Sequence, residues 1–370
     1  MGLEDFVEEI YSCDECNACL HVCPTYLTTG NLYHTPVYRL KVAKNVLEGK
    51  PVQNQMVEST YFCTQCKACE NVCPKKIRIP KIVGVVRAKM FKLGYGPLPP
   101  HKKILGSIFK NKNSVGGSPG KRWEWLPEIY KPRLVKDSST LFFVGCLPSY
   151  LVKDAAITSV KVLDKVGVDF RFLEDEGCCG APLVNFGDFE NAEKIFKENL
   201  DKFDNLGIKK ILVLCVGCYR TFRESYPEIA GEKVEVYHIA QILYELWEKG
   251  KLKFKKTGKT FTYHDPCHLG RYFGIYMEPR KLLESSGNLV EMDRVKENSF
   301  CCGADSGVRA AFKGPSVKMA TTRIEEAEKK ANLLTTTCPF CLFNLNYSAI
   351  KSGKNIQVKY FTEILLESLV

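Results

Sequence analysis

Residues 176–182 read Glu-Gly-Cys-Cys-Gly-Ala-Pro, and adjacent cysteines before a glycine return at residues 301–303. Each pair belongs to a set of five cysteines in the same order. The first set is Cys146, Cys178, Cys179, Cys215 and Cys218, and the second set is Cys267, Cys301, Cys302, Cys338 and Cys341. In both sets 35 residues separate the pair from the following C-x2-C, and 31 or 33 residues precede the pair. This repeat predicts two related domains whose soft thiolates bind metal clusters.

The other eight cysteines form a second duplicated pattern, in which each run of four ends in Cys-Pro: Cys13, Cys16, Cys19, Cys23, then Cys63, Cys66, Cys69, Cys73. This spacing is typical of bacterial ferredoxins with two 4Fe-4S clusters. The fourth cysteine of each run binds the other cluster in such proteins. We therefore expect Cys13, Cys16, Cys19 and Cys73 at one cubane cluster, and Cys63, Cys66, Cys69 and Cys23 at the other.

Zinc and disulfides are the alternatives to iron–sulfur clusters. Zinc in two C-x2-C knuckles would leave four of the N-terminal cysteines unused, and five thiolates overfill a tetrahedral zinc site in each repeat. A redox-active disulfide between Cys178 and Cys179, or between Cys301 and Cys302, is a further hypothesis. Vicinal disulfides are strained, which makes this hypothesis the weaker one.

Length and composition limit the classes of protein to consider. A chain of 370 residues can form two or three hydrophobic cores without disulfides. The N-terminus has no basic and apolar leader pattern, so we expect a reducing, cytoplasmic compartment, compatible with peripheral attachment to the cytoplasmic face of a membrane. The formal net charge of +11 comes with scattered lysines. We attribute it to compensation of cluster charge and expect no nucleic-acid partner.

The order of apolar and amphipathic segments predicts an α/β fold behind a mostly helical N-terminal domain. We expect a double-cluster ferredoxin domain at residues 1–95, a linker at 96–137, a first cysteine-rich repeat at 138–255 and a second at 256–370. Candidate strands are 141–144, 170–173, 210–214, 260–263, 289–292 and 332–336. Cys146, Cys215, Cys267 and Cys338 each follow a candidate strand, where open α/β sheets bind their ligands. Pro339 is expected to keep the chain outside a helix at that point.

This arrangement resembles the D-type subunit of heterodisulfide reductase, which is itself similar to a fusion of the separate C-type and B-type subunits. The phrases that carry the resemblance are residues 176–182, Cys-Tyr-Arg-Thr at 218–221, and His-Asp-Pro-Cys-His-Leu-Gly-Arg at 264–271. The resemblance implies that the ten cysteines of the two sets hold two non-cubane 4Fe-4S clusters, or one at minimum. It also implies an oxidoreductase acting on sulfur groups, in which Cys178, Cys179, Cys301 and Cys302 act on a disulfide such as that of coenzyme M and coenzyme B.

The same architecture occurs in iron–sulfur subunits of lactate, glycolate and glycerol-3-phosphate oxidation systems, which pass electrons to a quinone pool. These relatives often have an incomplete first set, whereas all ten positions are filled here, which favours the heterodisulfide reductase branch. One departure points the other way, because Ala304-Asp305-Ser306-Gly307 stands where a glycine-rich run is usual. A thiol-based redox sensor or scaffold is the third hypothesis.

The sequence has no G-x-G-x-x-G loop and no flavin signature, so the electron donor must be another protein. We expect a b-type cytochrome or a flavoprotein, in a hetero-oligomer.

Arg220, Arg271 and Arg309 lie near the cysteines and could bind an anionic thiol or offset cluster charge. Two histidines and two tryptophans could each be functional residues or structural ones. His264 and His268 could donate to cluster sulfur or be core residues, and Trp123 and Trp125 could form a partner surface or pack the linker.

Overall fold

The computed structural model describes residues 2–231 and 234–370. The described residues up to 95 are mostly helical, as predicted. Thr35 caps the third helix by accepting a hydrogen bond from the Tyr38 N–H at 3.1 Å, and Pro36 is the first helical residue, a position that proline favours. The helices are α1 (Val7–Tyr11), α2 (Pro24–Thr29), α3 (Pro36–Leu47), α4 (Asn54–Tyr61), α5 (Ala68–Val72) and α6 (Ile79–Lys92).

The segment predicted as a linker contains a helix, α7 (Pro99–Asn111), that packs against all three predicted domains. His101 is fully buried in this contact. Its ring stacks on Phe186 with centroids 4.3 Å apart and lies 5.3 Å from the Tyr61 ring. Its Nε2 is 3.0 Å from the Gly307 carbonyl oxygen. The segment is therefore part of the core, while the domain boundaries themselves stay a prediction.

His101 should make the stability of the protein depend on pH. Burial lowers the pKa of His101 to about 4, from an unfolded value of 6.5. Below pH 6.5 the unfolded chain therefore binds a proton at His101 that the folded chain does not bind. The free energy of unfolding falls as the pH falls. Between pH 8 and 5.5 we expect a loss of about 1.4 kcal/mol from this group. The melting temperature of the wild type should fall relative to that of His101→Phe over this range; a constant difference would contradict the assignment.

The first repeat is built on three parallel strands, β1 (Thr140–Phe143), β2 (Lys210–Val213) and β3 (Glu235–His238), in the order β1-β2-β3. The strands are short and mostly buried, as expected of a parallel sheet covered by helices. The helices are α8 (Cys146–Tyr150), α9 (Lys153–Lys165), α10 (Ala181–Phe186), α11 (Phe189–Asn205), α12 (Val216–Arg220), α13 (Tyr226–Ile229) and α14 (Ile239–Glu248).

The second repeat has the same plan with one more strand. Its parallel sheet has the order β5-β4-β6-β7, formed by β4 (Thr260–His264), β5 (Asn288–Leu289), β6 (Leu333–Thr336) and β7 (Gln357–Tyr360). Its helices are α15 (Cys267–Phe273), α16 (Met277–Ser286), α17 (Val308–Ala311), α18 (Lys313–Glu328), α19 (Pro339–Lys351) and α20 (Phe361–Ser368). Among the described residues, no helix is long and apolar enough to cross a membrane.

Equivalent side chains join the two repeats close to their cysteines. His238 ends β3 and Tyr360 ends β7. The His238 Nε2 lies 3.2 Å from the Leu214 carbonyl oxygen and 3.1 Å from that of Thr337. The Tyr360 hydroxyl lies 2.7 Å and 3.3 Å from the same two oxygens. Since Leu214 and Thr337 precede the cysteines at 215 and 338, the joint brings one edge of the first set next to one edge of the second.

Three local expectations were wrong. Residues 170–173 do not form a strand: only Arg171 pairs, in a single bridge to Leu141, because a turn begins at residue 174. The strand expected at 289–292 is limited to Asn288–Leu289. Pro339 does not exclude a helix but is the first residue of α19, a position where its missing N–H has no helical partner to lose.

Candidate functional site

The N-terminal cysteines form two groups that follow the crossed pattern. Cys13, Cys16, Cys19 and Cys73, here called the outer set, line one cavity of about 20 Å³. Cys23, Cys63, Cys66 and Cys69, here called the inner set, line another of about 10 Å³. Four thiols around a small enclosed space suit a 4Fe-4S cubane by number and by chemical softness. That they bind clusters stays a prediction.

Sheet topology places the cysteines of each repeat at one edge. Cys146 and Cys267 are the first residues of α8 and α15, after β1 and β4. Cys215 and Cys338 precede α12 and α19, after β2 and β6. All four therefore lie at the carboxyl ends of parallel strands, as predicted.

The cysteine pairs reach this edge through tight turns. Gly180 and Gly303 follow the pairs with φ of +87° and +76°. A Cβ at Gly180 would lie 2.4 Å from the Phe196 ring, and one at Gly303 would lie 3.0 Å from the Ser316 carbonyl oxygen. Only glycine meets both the conformation and the close approach at these two positions.

The five thiols of each set touch one another in the same order. In the first set the order of contacts is Cys146, Cys178, Cys179, Cys218, Cys215. In the second set it is Cys267, Cys301, Cys302, Cys341, Cys338, with the Cys302 and Cys341 sulfurs 3.2 Å apart. All eighteen cysteines are unpaired thiols. The predicted sets are thus two compact groups of sulfur donors, as cluster binding requires.

Within each pair the second thiol ionises more readily. Hydrogen bonds from the Cys178 and Cys218 thiols lower the pKa of Cys179 to about 6. The thiols of Cys301 and Cys341 likewise lower the pKa of Cys302. The thiolate is the form that binds metal and reacts with sulfur, so these two positions are prepared for either role.

The first set opens into a cavity of about 230 Å³, and all five of its cysteines line it. The second repeat also lines the cavity, through Ala304, Asp305, Gly307, Arg309, Ala310 and the rings of Phe340 and Phe343. Helix α7 and the segment after it close a third side with Ile104, Ser114 and Val115. The lining is mostly apolar. The site is therefore a ligand-sized pocket with sulfur donors on one wall.

Buried acids that the sequence analysis did not single out hold the cysteine loops. The Glu176 carboxylate accepts hydrogen bonds from the Val144 and Gly145 N–H groups, each at 2.9 Å, and pairs with buried Arg122. This fixes the turn before Cys146. In the second repeat Asp265 accepts from Arg280 at 2.6 and 2.8 Å and from the Lys296 N–H at 2.8 Å. Both acids lie within two residues of a cysteine, which was the available sequence signal.

Two asparagines fix the cysteine pairs themselves. The Asn199 Nδ2 donates to the Cys178 carbonyl oxygen at 3.1 Å, and the Asn344 Nδ2 donates to that of Cys302 at 2.7 Å. Both side chains are buried. They come from helices α11 and α19, distant in sequence from the pairs that they hold.

The second set differs from the first in its neighbours. The Cys301 thiol contacts Cys66 of the inner set as well as Cys267. These three residues form one buried cluster with Ala68, against which Val22 packs. Arg271 supports the contact, because its Nε donates to the Cys66 carbonyl oxygen at 2.5 Å and its Nη1 to that of Ser299 at 2.7 Å. The inner set and the second set therefore pack against each other.

His264 is close enough to the second set to be a ligand. Its nitrogen and the sulfurs of Cys302 and Cys341 lie within 4.8 Å of one another. Arg323 donates from Nε to the His264 Nδ1 at 3.1 Å, so the ring accepts there. Burial lowers the pKa of His264, which keeps the imidazole neutral. Of the two flanking histidines, this one faces the sulfur atoms.

His268 instead links the second repeat to the ferredoxin domain. Its Nδ1 lies 3.0 Å from the Asp305 Oδ2 and its Nε2 lies 3.2 Å from the Gln65 carbonyl oxygen. Ser306 donates to the Thr64 carbonyl oxygen at 3.2 Å. The residues that replace the usual glycine-rich run therefore contact Thr64 and Gln65, which lie between two cysteines of the inner set.

The three candidate arginines have different surroundings. Arg220 pairs with Glu224 at 2.8 Å and stacks on Tyr272, and Arg271 is used at Cys66. Arg309 lines the 230 Å³ cavity and lies 4.6 Å from the Tyr347 ring. Its buried Nε has no hydrogen-bond partner among the described residues. Arg309 is thus the arginine of the three that faces the pocket.

Trp123 and Trp125 pack the interdomain segment onto the first repeat. Trp123 donates from Nε1 to the Glu174 carbonyl oxygen at 2.8 Å, and its ring centroid lies 5.0 Å from that of Phe172. Trp125 is buried 6.3 Å from the same ring. Packing onto the first repeat accounts for the positions of both side chains.

Comparisons with known proteins agree with this architecture. A family model described as a 4Fe-4S dicluster domain matches residues 9–77, and one described as a cysteine-rich domain matches residues 140–223 and 261–346. A crystal structure of a hypothetical protein from Helicobacter pylori has a similar fold, with a TM-score of 0.60 and 12% identity. The match covers 99% of this chain and 71% of that one.

Two relatives are each 31% identical to this chain over the aligned residues. EtfAB:quinone oxidoreductase from Syntrophomonas wolfei is 31% identical over 79% of this chain and 44% of its own length. The D-type subunit of dihydromethanophenazine:CoB–CoM heterodisulfide reductase from Methanosarcina barkeri is 31% identical over 98% of this chain and 94% of its own length. This chain therefore belongs to the family of D-type heterodisulfide reductase subunits, iron–sulfur oxidoreductase subunits in which a 4Fe-4S dicluster domain precedes two cysteine-rich domains.

Proposed function

We propose that this chain reduces a disulfide, or forms one in the reverse direction, with electrons from a partner protein. Reduction consumes two electrons and two protons, breaks one S–S bond and releases two thiols. The substrate is a small disulfide such as that of coenzyme M and coenzyme B, the compound named for the Methanosarcina relative. The observation that carries the proposal is the cavity at the first set.

The size of this cavity separates it from the ferredoxin sites. The outer and inner sets enclose about 20 and 10 Å³, whereas the first set opens into about 230 Å³. A site that only relays electrons needs no such space. The apolar walls, including Leu147, Phe340 and Phe343, would exclude water from the sulfur atoms and hold the carbon skeleton of a ligand.

The donor sets fit four iron–sulfur clusters. The outer and inner sets would hold two cubane clusters, and the first and second sets would hold two non-cubane 4Fe-4S clusters, or one at minimum. When bound, such clusters supply one-electron chemistry at sulfur. The protein keeps the cysteines in position through Glu176 and Asn199 in the first repeat and Asp265 and Asn344 in the second. We assign Cys178, Cys179, Cys301 and Cys302 to the reacting part of the site.

Iron and sulfide content is the first test. We expect about 16 iron atoms and 16 sulfides per chain in anaerobically purified protein, from four clusters of four. About 12 would mean one non-cubane cluster. About 8 would leave the two five-cysteine sets to disulfide chemistry and would contradict the proposal. Cys73→Ser and Cys218→Ser, one in the outer set and one in the first set, should each perturb a different paramagnetic signal.

The disulfide reaction is tested next. Candidate thiols added to the oxidised protein should produce a new paramagnetic signal, and candidate disulfides should oxidise a reduced dye in its presence. Cys301→Ser should abolish turnover while the cubane signals remain. Full turnover in that variant would show that the second set takes no part in the disulfide reaction.

A pure electron-transfer role is the second candidate function. The similarity to the EtfAB:quinone oxidoreductase favours it, and it corresponds to the subunits of lactate, glycolate or glycerol-3-phosphate oxidation systems linked to a quinone pool. Such a subunit would accept electrons without responding to any thiol or disulfide. In both cases the partner is a redox protein, a b-type cytochrome or a flavoprotein, in a cytoplasmic complex that could lie against the membrane.

A further inference from the structure

The outer and inner sets share one cysteine spacing but differ in exposure. Cys16 of the outer set is exposed, and Cys13 and Cys73 are partly exposed. All four cysteines of the inner set are buried. Since Cys66 of the inner set also touches Cys301, the inner set lies between the outer set and the second set.

A buried arginine faces the inner set. Arg39 on α3 is 3% exposed, and its Nη1 lies 3.8 Å from the Cys23 Sγ. Its Nε donates to the Ser59 carbonyl oxygen at 2.9 Å and its Nη2 to the Thr25 Oγ1 at 3.0 Å. These acceptors are neutral, and the described residues offer Arg39 no carboxylate partner. A full positive charge therefore remains available to the sulfur atoms.

Arg39 keeps its charge despite its burial, because an arginine guanidinium stays protonated in proteins. A second buried arginine, Arg87, donates from Nη2 to the Cys63 carbonyl oxygen at 2.8 Å. With Arg271, which donates to the Cys66 carbonyl oxygen, the inner set has three buried cations close by.

The cations near the outer set are neutralised by partners. Lys75 pairs with Asp14 at 3.3 Å, and Arg78 pairs with Glu9. These side chains are at least one-quarter exposed, so water and salt screen them further. The charge environment therefore favours added negative charge at the inner set over the outer set.

We propose that Arg39 raises the reduction potential of the inner set above that of the outer set, so that electrons entering near Cys16 are drawn inward toward Cys301. The proposal rests on the proposed function, in that both sets must hold clusters. A reduced cluster carries one more negative charge, which a nearby cation and an N–H···S contact stabilise. Burial of the inner set acts in the opposite direction. A unit charge at contact distance in a poorly solvated interior interacts several-fold more strongly than an exposed one, and we expect Arg39 to prevail.

The test is a redox titration of the full-length, cluster-containing protein, followed by electron paramagnetic resonance. In Arg39→Met one of the two cubane potentials should fall by at least 59 mV, which is a tenfold change in the ratio of reduced to oxidised cluster. The other potential should stay within that limit. Arg39→Lys keeps the charge and should recover most of the shift. The matched control is Arg78→Met, which removes an exposed arginine beside the outer set and should move neither potential by this amount.

A second variant covers the case in which Arg39→Met fails to retain iron. The Thr25 hydroxyl lies 3.1 Å from the Cys23 Sγ and 3.0 Å from the Arg39 Nη2, so Thr25→Val removes it with little change in shape. A smaller downward shift of the same potential is expected. Unchanged potentials in Thr25→Val, or equal shifts in Arg39→Lys and Arg39→Met, would overturn the role of Arg39. Absence of the two cubane signals from the wild type would instead overturn the proposed function.

Discussion

The variant Ala310→Trp is expected to lower kcat/KM for disulfide reduction about 100-fold while all clusters are retained. Ala310 is an exposed residue of α17 that lines the 230 Å³ cavity. An indole at this position would occupy the space opposite the first set. Because the side chain starts at the surface, the fold need not change to accommodate it. The measurement is steady-state turnover with a reduced dye and a disulfide, together with iron content.

The control for this variant is Ile350→Trp. Ile350 is 74% exposed on α19 and does not line the cavity. It should leave kcat/KM within about twofold, as is usual for exposed positions outside a binding site. Equal activity in both variants, with full iron content, would place the disulfide outside this cavity. The proposed function would then lose the observation that carries it.

The structure assigns different surroundings to two sets of cysteines that the sequence shows as equal. The first set faces the ligand-sized cavity, whereas the second set contacts Cys66 of the inner set. The joint at Leu214 and Thr337 brings the two sets together. The sets therefore follow one another in the order outer, inner, second and first, from the exposed Cys16 to the cavity. The two copies of one domain therefore have different neighbours at their cysteines.

The grouping of the cysteines and their positions after strands could be predicted from the sequence, because both depend on short stretches of neighbouring residues. Spacing grouped the eighteen cysteines into four sets, and the structure places the members of each set near one another. That the sets bind clusters stays a prediction. Short apolar runs before Cys146, Cys215, Cys267 and Cys338 placed these residues at the ends of strands. Parallel strands are buried on both faces, so their apolar runs are conspicuous.

The features that were missed depend on contacts between distant residues. Strands β3 and β7 read Glu-Val-Tyr-His and Gln-Val-Lys-Tyr, which are too short and too polar to stand out. Their last residues nevertheless join the two repeats. Arg39 and Arg87 resemble ordinary helix-surface arginines in the sequence, and only the packing of other segments buries them. The unusual residues Asp305 and Ser306 are also explained by a contact with residues distant in sequence, because Ser306 donates hydrogen bonds to Thr64 and Gln65.

Arg87→Met is expected to destabilise the protein by about 3–5 kcal/mol, because this side chain joins the ferredoxin domain to both repeats. Arg87 on α6 is fully buried. It donates to the Thr60 and Cys63 carbonyl oxygens at 2.8 Å within the ferredoxin domain. It also donates to the Asn185 carbonyl oxygen at 2.8 Å and to that of Ser306 at 3.3 Å. Methionine would fill similar space but leave four buried carbonyl oxygens without a donor.

The expected sign does not depend on pH near neutrality. Burial lowers the pKa of Arg87 to about 10, so the guanidinium is still charged at pH 7. The measurement is the melting temperature followed by cluster absorbance, together with the rate of proteolysis between the ferredoxin domain and the repeats. Arg87→Lys keeps the charge but cannot reach all four oxygens, and it should be intermediate. Arg78→Met, at a 49% exposed side chain paired with Glu9, should cost less than about 1 kcal/mol. If Arg87→Met had the same melting temperature as Arg78→Met, other contacts would have to hold the domains together. The hydrogen bond from Arg271 to Cys66 would then be the next to remove.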